Sequence, residues 1–203
     1  PVSATITWSS SATNVATIDA SGLASAKTAG DATISATSGS IVGTASLHVN
    51  AGGSQPPPGS VRITEIHYDN SGTDAGEAIE VTGPAGTDLT GWQIVLYDGN
   101  AGTSYNTQTL SGSLPASCGA NGVLVVNYPA NGIQNGSPDG MALVDATGKL
   151  VEFLSYEGTF AATNGPANGV TSIDIGVAEA GTEPVGQSLQ RDLGDGSWSG
   201  PKP

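Results

Sequence analysis

The sequence is poor in the residues on which several kinds of protein depend. Five Lys and Arg stand against eighteen Asp and Glu, a net charge of −13. The basic footprint that grips nucleic-acid phosphates or anionic membranes is therefore missing, and the charge argues against direct nucleic-acid binding. Cys118 is the single cysteine; it makes neither an internal disulfide nor a cysteine zinc site, and a bridge to another molecule is the one disulfide open to it. Two histidines leave little for proton transfer near neutral pH. Aromatic residues make up 5%, and no apolar run reaches the length of a membrane-spanning helix. Helical periodicity is nearly absent as well.

What is abundant is glycine, thirty residues in 203, with twelve prolines and many Thr, Ser and Asn. Together with the acidity this composition suggests a secreted or cell-surface protein of bacterial type. Pro1 opens the chain without a signal-peptide pattern, which reads as a mature or trimmed fragment. The length fits one or two domains, and the clearest break is Ala51-Gly-Gly-Ser-Gln-Pro-Pro-Pro-Gly-Ser60, a flexible stretch stiffened by a polyproline run. Residues 1–50 form one domain in this reading, 51–60 a linker and 61–203 a second domain. Charge divides unevenly: Lys27 faces Asp19 and Asp31 before the linker, whereas four basic and sixteen acidic residues follow it, a net of −12.

Both parts read as strands. Ala4, Ile6 and Trp8 alternate with Thr5 and Thr7, Ala32, Ile34 and Ala36 with Thr33, Ser35 and Thr37, and Ala45, Leu47 and Val49 with Ser46 and His48. Such alternation belongs to antiparallel sheets with one wet face. Asp19-Ala-Ser-Gly22 and Ala29-Gly-Asp31 are the turns between them. The run Ile6-Thr-Trp-Ser-Ser-Ser, with Val15-Ala-Thr-Ile-Asp19, Gly22-Leu, Ala29-Gly-Asp-Ala-Thr-Ile34 and Gly43-Thr-Ala, resembles the bacterial Ig-like domain of group 2, common in surface adhesins and secreted enzymes. That family has two further strands ahead of the Trp-bearing one, so the resemblance implies a domain lacking its N-terminal strands, with open sheet edges and a marginal core. The second domain, a neighbouring chain or further sequence would complete it.

The second domain opens with Val61-Arg-Ile-Thr-Glu-Ile-His-Tyr-Asp-Asn70, in which alternation places Val61, Ile63 and Glu65 on one face and Glu65, His67 and Asp69 together. Further strands are expected at 77–82, 92–97, 122–128, 141–145 and 150–156, with a hairpin turn at Asp145-Ala-Thr-Gly148. The unbroken apolar run Val123 to Val126 reads as a central strand covered on both faces. Ile63-Thr-Glu-Ile-His-Tyr-Asp-Asn70, Gly76-Glu-Ala-Ile-Glu-Val81, Leu89-Thr-Gly-Trp-Gln-Ile94, Asp139-Gly-Met-Ala-Leu-Val-Asp145 and Gly186-Gln-Ser-Leu-Gln-Arg191 resemble a lamin-tail domain, an Ig-like module. Ile133-Gln-Asn-Gly-Ser-Pro-Asp-Gly140, Phe153-Leu-Ser-Tyr-Glu-Gly158 and Ser172-Ile-Asp-Ile-Gly-Val177 are similar to the version that accompanies bacterial extracellular nucleases. The resemblance implies an accessory module, with the catalytic domain beyond Pro203. The expected fold is all-β: two Ig-like β-sandwich domains joined by a short Gly/Pro-rich linker, the first without its N-terminal strands.

Candidate chemistry is sparse. His67, flanked by Glu65 and Asp69, has the makings of a general base or metal ligand, although a structural hydrogen-bonding role has the stronger claim for a strand-borne histidine. Cys118 sits in a predicted loop as an incidental thiol. Calcium is the better chemical candidate, because Asp69-Asn-Ser-Gly-Thr-Asp-Ala-Gly-Glu77 offers Asp69, Asp74 and Glu77 carboxylates and the Asn70 amide oxygen on a Gly-containing loop. The same loop reads equally as turns pinned by their own Asp and Asn side chains. Asp98-Gly-Asn100 and Asp139-Gly140 are further Asx-turns, Trp8 and Trp92 are core anchors, and Trp198 is either a late strand or an exposed contact. Asn135-Gly-Ser137 matches a glycosylation sequon and reads as a turn.

Three functions follow. The first is a non-catalytic accessory, spacer or binding region of an extracellular nuclease or similar hydrolase, touching other domains of its own polypeptide through the loops at 69–76 and 131–139. The second is surface adhesion, or binding of a cell-surface protein or carbohydrate, with pairing between chains through open strand edges. The third is a metal-dependent phosphodiesterase built on Glu65, His67 and Asp69.

Overall fold

Alternation of small apolar and hydroxyl side chains yields short antiparallel strands, closed by turns that Asp and Gly shape. The computed structural model describes residues 6–27, 30–49 and 60–203. Linker residues 51–59, Ala4 of the first predicted strand and Ala29 of the second predicted turn lie outside the described residues. The chain divides into two compact units, Pro1–Gly52 and Gly53–Pro203.

In the first unit, β1 (Thr7–Ser10), β2 (Ala16–Ile18), β3 (Ala24–Ala26), β4 (Gly30–Ser38) and β5 (Ile41–Val49) make a sheet in the order β1-β4-β5 and a β2-β3 hairpin. Asp19 shapes the hairpin: its Oδ1 accepts Ser21 N at 2.9 Å and Leu23 N at 3.0 Å. Gly22 takes φ +87°, and a Cβ there would stand 2.9 Å from Trp8 Cζ2. Half-buried Trp8 thus rests on a glycine that both the turn and the ring require. The buried cluster of this unit is small, Val15, Ala16 and Ala32, with Ala12 and Leu47 against it. Ile41 and Val42 on β5 are 75% and 59% exposed. Among the described residues β1 and β5 each pair with β4 alone, leaving both edges of the sheet open.

The second unit holds β6 (Arg62–His67), β7 (Ala78–Pro84), β8 (Gln93–Asp98), β9 (Thr103–Thr109), β10 (Ala116–Cys118), β11 (Asn121–Asn127), β12 (Asp139–Val144), β13 (Leu150–Tyr156), β14 (Ile173–Asp174), β15 (Ser188–Arg191) and β16 (Trp198–Lys202). They build a six-stranded sheet, β10-β11-β7-β6-β15-β16, and a five-stranded one, β14-β13-β12-β8-β9. One core takes side chains from both: Ile63, Ile66, Ile79 and Val81 from the first, Ile94, Leu96, Met141 and Leu154 from the second. Each such side chain, fully buried, contributes about 1.5–3 kcal/mol. Trp92 and Trp198 pack partly buried against this core. Trp198 lies in β16 beneath the Arg191 guanidinium, 5.8 Å from its ring centroid.

Two expectations are corrected. The strands covered on both faces are β8, β12 and β13, because the chain from Glu157 to Ser172 crosses the outer side of the five-stranded sheet. There Phe160, Ala162 and Ala167 pack on Val95, Tyr97, Ala142 and Phe153. On β11, by contrast, Val125 is 51% exposed, with no described residue covering it. The second correction concerns β6, where a bulge between Ile63 and Glu65 breaks the period of two. Ile63 and Ile66 both reach the core, while Thr64 and Glu65 turn outward, Thr64 Oγ1 donating to Glu80 Oε1 at 2.8 Å. Glu65 therefore does not share the face of Ile63.

The bulge also leaves the Ile63 backbone groups free for side chains. Glu152 Oε1 accepts from Ile63 N, and Arg191 Nη1 donates to Ile63 O at 3.1 Å.

Candidate functional site

The residues singled out by sequence lie where β6 ends and the chain loops back into β7. Tyr68 anchors the start of this loop, its ring stacked on Tyr156 with centroids 3.9 Å apart. Its hydroxyl donates to Glu157 Oε1 at 3.0 Å and accepts from Glu179 N at 2.9 Å. Glu179 answers by accepting Tyr68 N and Asp69 N on Oε2, at 2.7 and 2.8 Å. Its other oxygen faces His67 Nδ1 at 2.9 Å, both side chains being buried.

His67 Nε2 faces two further acceptors, Asn70 Oδ1 at 3.3 Å and Ala75 O at 3.2 Å. An imidazole with acceptors on both sides is a donor twice over, which is the protonated form. Burial works against that charge, but the hydrogen bond and charge of Glu179, with Ala75 O and Asn70, overcome it and raise the His67 pKa.

The four residues predicted to bind calcium are near one another but differently employed. Asn70 holds its own loop: Oδ1 accepts Ala75 N at 2.9 Å, its backbone N–H donates to Asp74 Oδ1 at 3.2 Å, and its amide nitrogen donates to Ser71 O and Thr73 O. Glu77 is fully buried and turned to the loop after β11, accepting Gly132 N at 2.7 Å and Ile133 N at 3.1 Å. Burial still raises its pKa, those two bonds offsetting part of the cost. Asp69 and Asp74 face each other; burial and the Asp74 charge raise the Asp69 pKa. Among the described residues, no group of three or more His, Cys, Asp and Glu side chains is placed to hold a metal ion.

The loops at 69–76 and 131–139, both expected to make contacts, meet at Asp74. Its carbonyl accepts Asn131 N at 3.2 Å and its Oδ2 accepts Asn135 Nδ2 at 3.3 Å. Asp98 forms the expected Asx-turn to Asn100. Asp139 does not: it opens β12, buried, with Gly99 N on one oxygen and Gly136 N on the other, at 2.9 and 2.8 Å. Cys118, placed in a loop by the sequence, ends β10.

The triad Glu65, His67 and Asp69 is split. Glu65 accepts Ser188 Oγ at 2.6 Å, His67 is turned to Glu179, and Asp69 lies past the end of β6. Sequence reasoning missed Glu179, Glu157 and Ser188, which hold these groups in place. Glu179 lies 112 residues from His67, in a segment with no strand or motif to mark it.

Residues 1–49 match the family model of the bacterial Ig-like domain (group 2). No curated protein matches the chain at a significant level. Among solved structures, that of surface layer protein SbsC, domains 1-6, is similar at 10% identity and a TM-score of 0.26, over 98% of this chain and 24% of that one. The chain thus spans about a quarter of the length of that structure, and the TM-score is too low to carry a functional assignment.

Proposed function

We propose that the chain is a non-catalytic binding and spacer segment of a secreted or cell-surface bacterial protein, its partner a cell-surface protein or carbohydrate. The observation that carries this reading is His67, whose ring nitrogens both point to acceptors inside the fold. A ring so held has no lone pair to offer a proton or a metal. The Ig-like match over residues 1–49 supports surface placement. The net charge of −12 beyond the linker opposes polyphosphate ligands, and loops rich in hydroxyl and amide groups suit sugars and proteins. The lamin-tail resemblance of residues 61–203 supports a finer version, in which the segment accompanies an extracellular nuclease. For adhesion between chains, the open β1 and β5 edges are the available routes.

The test pairs two assays on the same chain: adsorption to intact bacterial envelopes, and phosphodiester turnover with magnesium or calcium. Adsorption without turnover is expected. Turnover abolished by His67→Ala overturns the reading in favour of the phosphodiesterase.

Calcium is a second, smaller proposal, favoured by the Asp69 and Asp74 carboxylates that face each other across the loop. Asp69 and Asp74 would be the ligands, with Asn70 and Glu77 shaping the loop. Two carboxylates in place of the usual six to eight oxygens mean weak binding, of order 10⁻⁴–10⁻³ M as in extracellular modules.

A further inference from the structure

The outer side of the six-stranded sheet holds a cleft of about 120 Å³, lined among others by Glu65, His67, Ala78, Glu80, Val125 and Ser188. Strand register puts three of these in one row, with Val125 opposite Glu80 and Glu80 opposite Glu65. Like charges directly opposed across strands destabilise a sheet, yet both carboxylates are held in place. Ser188 Oγ donates to Glu65 Oε1 at 2.6 Å, and Thr64 and Thr82 hydroxyls donate to Glu80 Oε1 at 2.8 and 3.2 Å. Among the described residues no hydrogen bond or ion pair reaches Oε2 of either glutamate.

The cationic residues of this unit have partners of their own, His67 in the cleft wall being held by Glu179. Arg191 pairs with Glu152, Arg62 donates to Leu193 O, Lys202 donates to Ser199, and Lys149 stands beside Asp145. One side of the cleft is apolar: Val125 is 51% exposed, and Val185, 63% exposed, lies against Gly76 of the lining. A hydrated metal ion gains nothing from such a side. A guanidinium on a hydrocarbon stem uses both parts, since its planar fork bridges carboxylate oxygens while the stem packs on aliphatic carbon.

We propose that this cleft receives an arginine side chain from a basic segment of a partner protein, the stem on Val125 and Ala78 and the guanidinium between Glu65 and Glu80. It goes beyond the binding-module reading, because it names the chemistry of the partner's contacting group and does not depend on whether the chain is catalytic.

The test titrates the peptide acetyl-Gly-Arg-Gly-Arg-Gly-amide, and its neutral citrulline counterpart, into the ¹⁵N-labelled full chain. Amide shifts are expected at Ala78, Glu80, Val125 and Ser188, with the citrulline peptide at least tenfold weaker. The double variant Glu65→Gln, Glu80→Gln weakens arginine-peptide binding at least tenfold. Asp98→Asn with Asp174→Asn, which removes the same charge elsewhere, changes it less than twofold. Val125→Arg, at an exposed position that tolerates a long side chain, supplies an internal competitor and abolishes binding with the fold intact. Shifts scattered over the acidic surface, equal losses in the two double variants, or undiminished binding by Val125→Arg would each overturn the proposal.

Discussion

Arg191 on β15 and Glu152 on β13 join the two sheets of the second unit through the core, Nη1 to Oε2 at 2.9 Å, their side chains 1% and 0% exposed. Both also bond the backbone of Ile63 at the β6 bulge. Removing one charge strands the other in a dry interior. Glu152→Gln is therefore expected to lower stability by about 3–5 kcal/mol, whereas Glu152→Gln combined with Arg191→Gln, which removes both charges and keeps an amide acceptor and donor for Ile63, is expected to cost less. Urea unfolding of the three proteins measures this; equal losses in the single and double variants would show that packing, not charge, dominates.

Stability should peak on the acid side of neutrality. The His67 pKa is raised in the folded state, so its contribution is complete below about 6.5, the unfolded value, and disappears as pH rises through the folded value. Glu77 and Asp139, raised by burial, act in the same direction: the folded state binds their protons more tightly, so stability falls as pH rises through their folded values. The melting temperature should climb from pH 8 toward pH 5. His67→Gln should flatten the upper part of that climb, and a wild-type profile flat across this range would contradict the assignment.

Calcium added to chelated protein should raise the melting temperature if Asp69 and Asp74 bind it. At ten times the dissociation constant the gain is about 1.4 kcal/mol, roughly 3–6 °C for a domain of this size. Asp74→Asn should remove the effect. An unchanged melting temperature in wild type retires calcium from this loop.

Where a strand is largely apolar, its residues announced it: the runs Met141 to Val144 and Leu150 to Tyr156, buried on both faces, located β12 and β13 to within two residues. Thr103-Ser-Tyr-Asn-Thr-Gln-Thr109 gave no such sign, because β9 is an edge strand exposed along most of its length and has little apolar surface to alternate. The bulge was legible in retrospect. Ile63, Ile66 and Tyr68 are spaced by three and then two, and only an extra residue puts all three in one core. The candidate site was less readable. Sequence lists the carboxylates of 69–77 but not their direction, and Glu77 turns to the amides of Gly132 and Ile133, more than fifty residues on. His67 likewise depends on a glutamate from a loop that no local pattern connects to it.

The segment carrying Phe160, Ala162 and Ala167 roofs one sheet with the protein's own chain, while the other leaves Val125 exposed on β11. A unit built this way has a front and a back. Mutation can redecorate the front around Val125 at little structural risk, whereas the back is sealed, and any change there must first be reconciled with the packing beneath it.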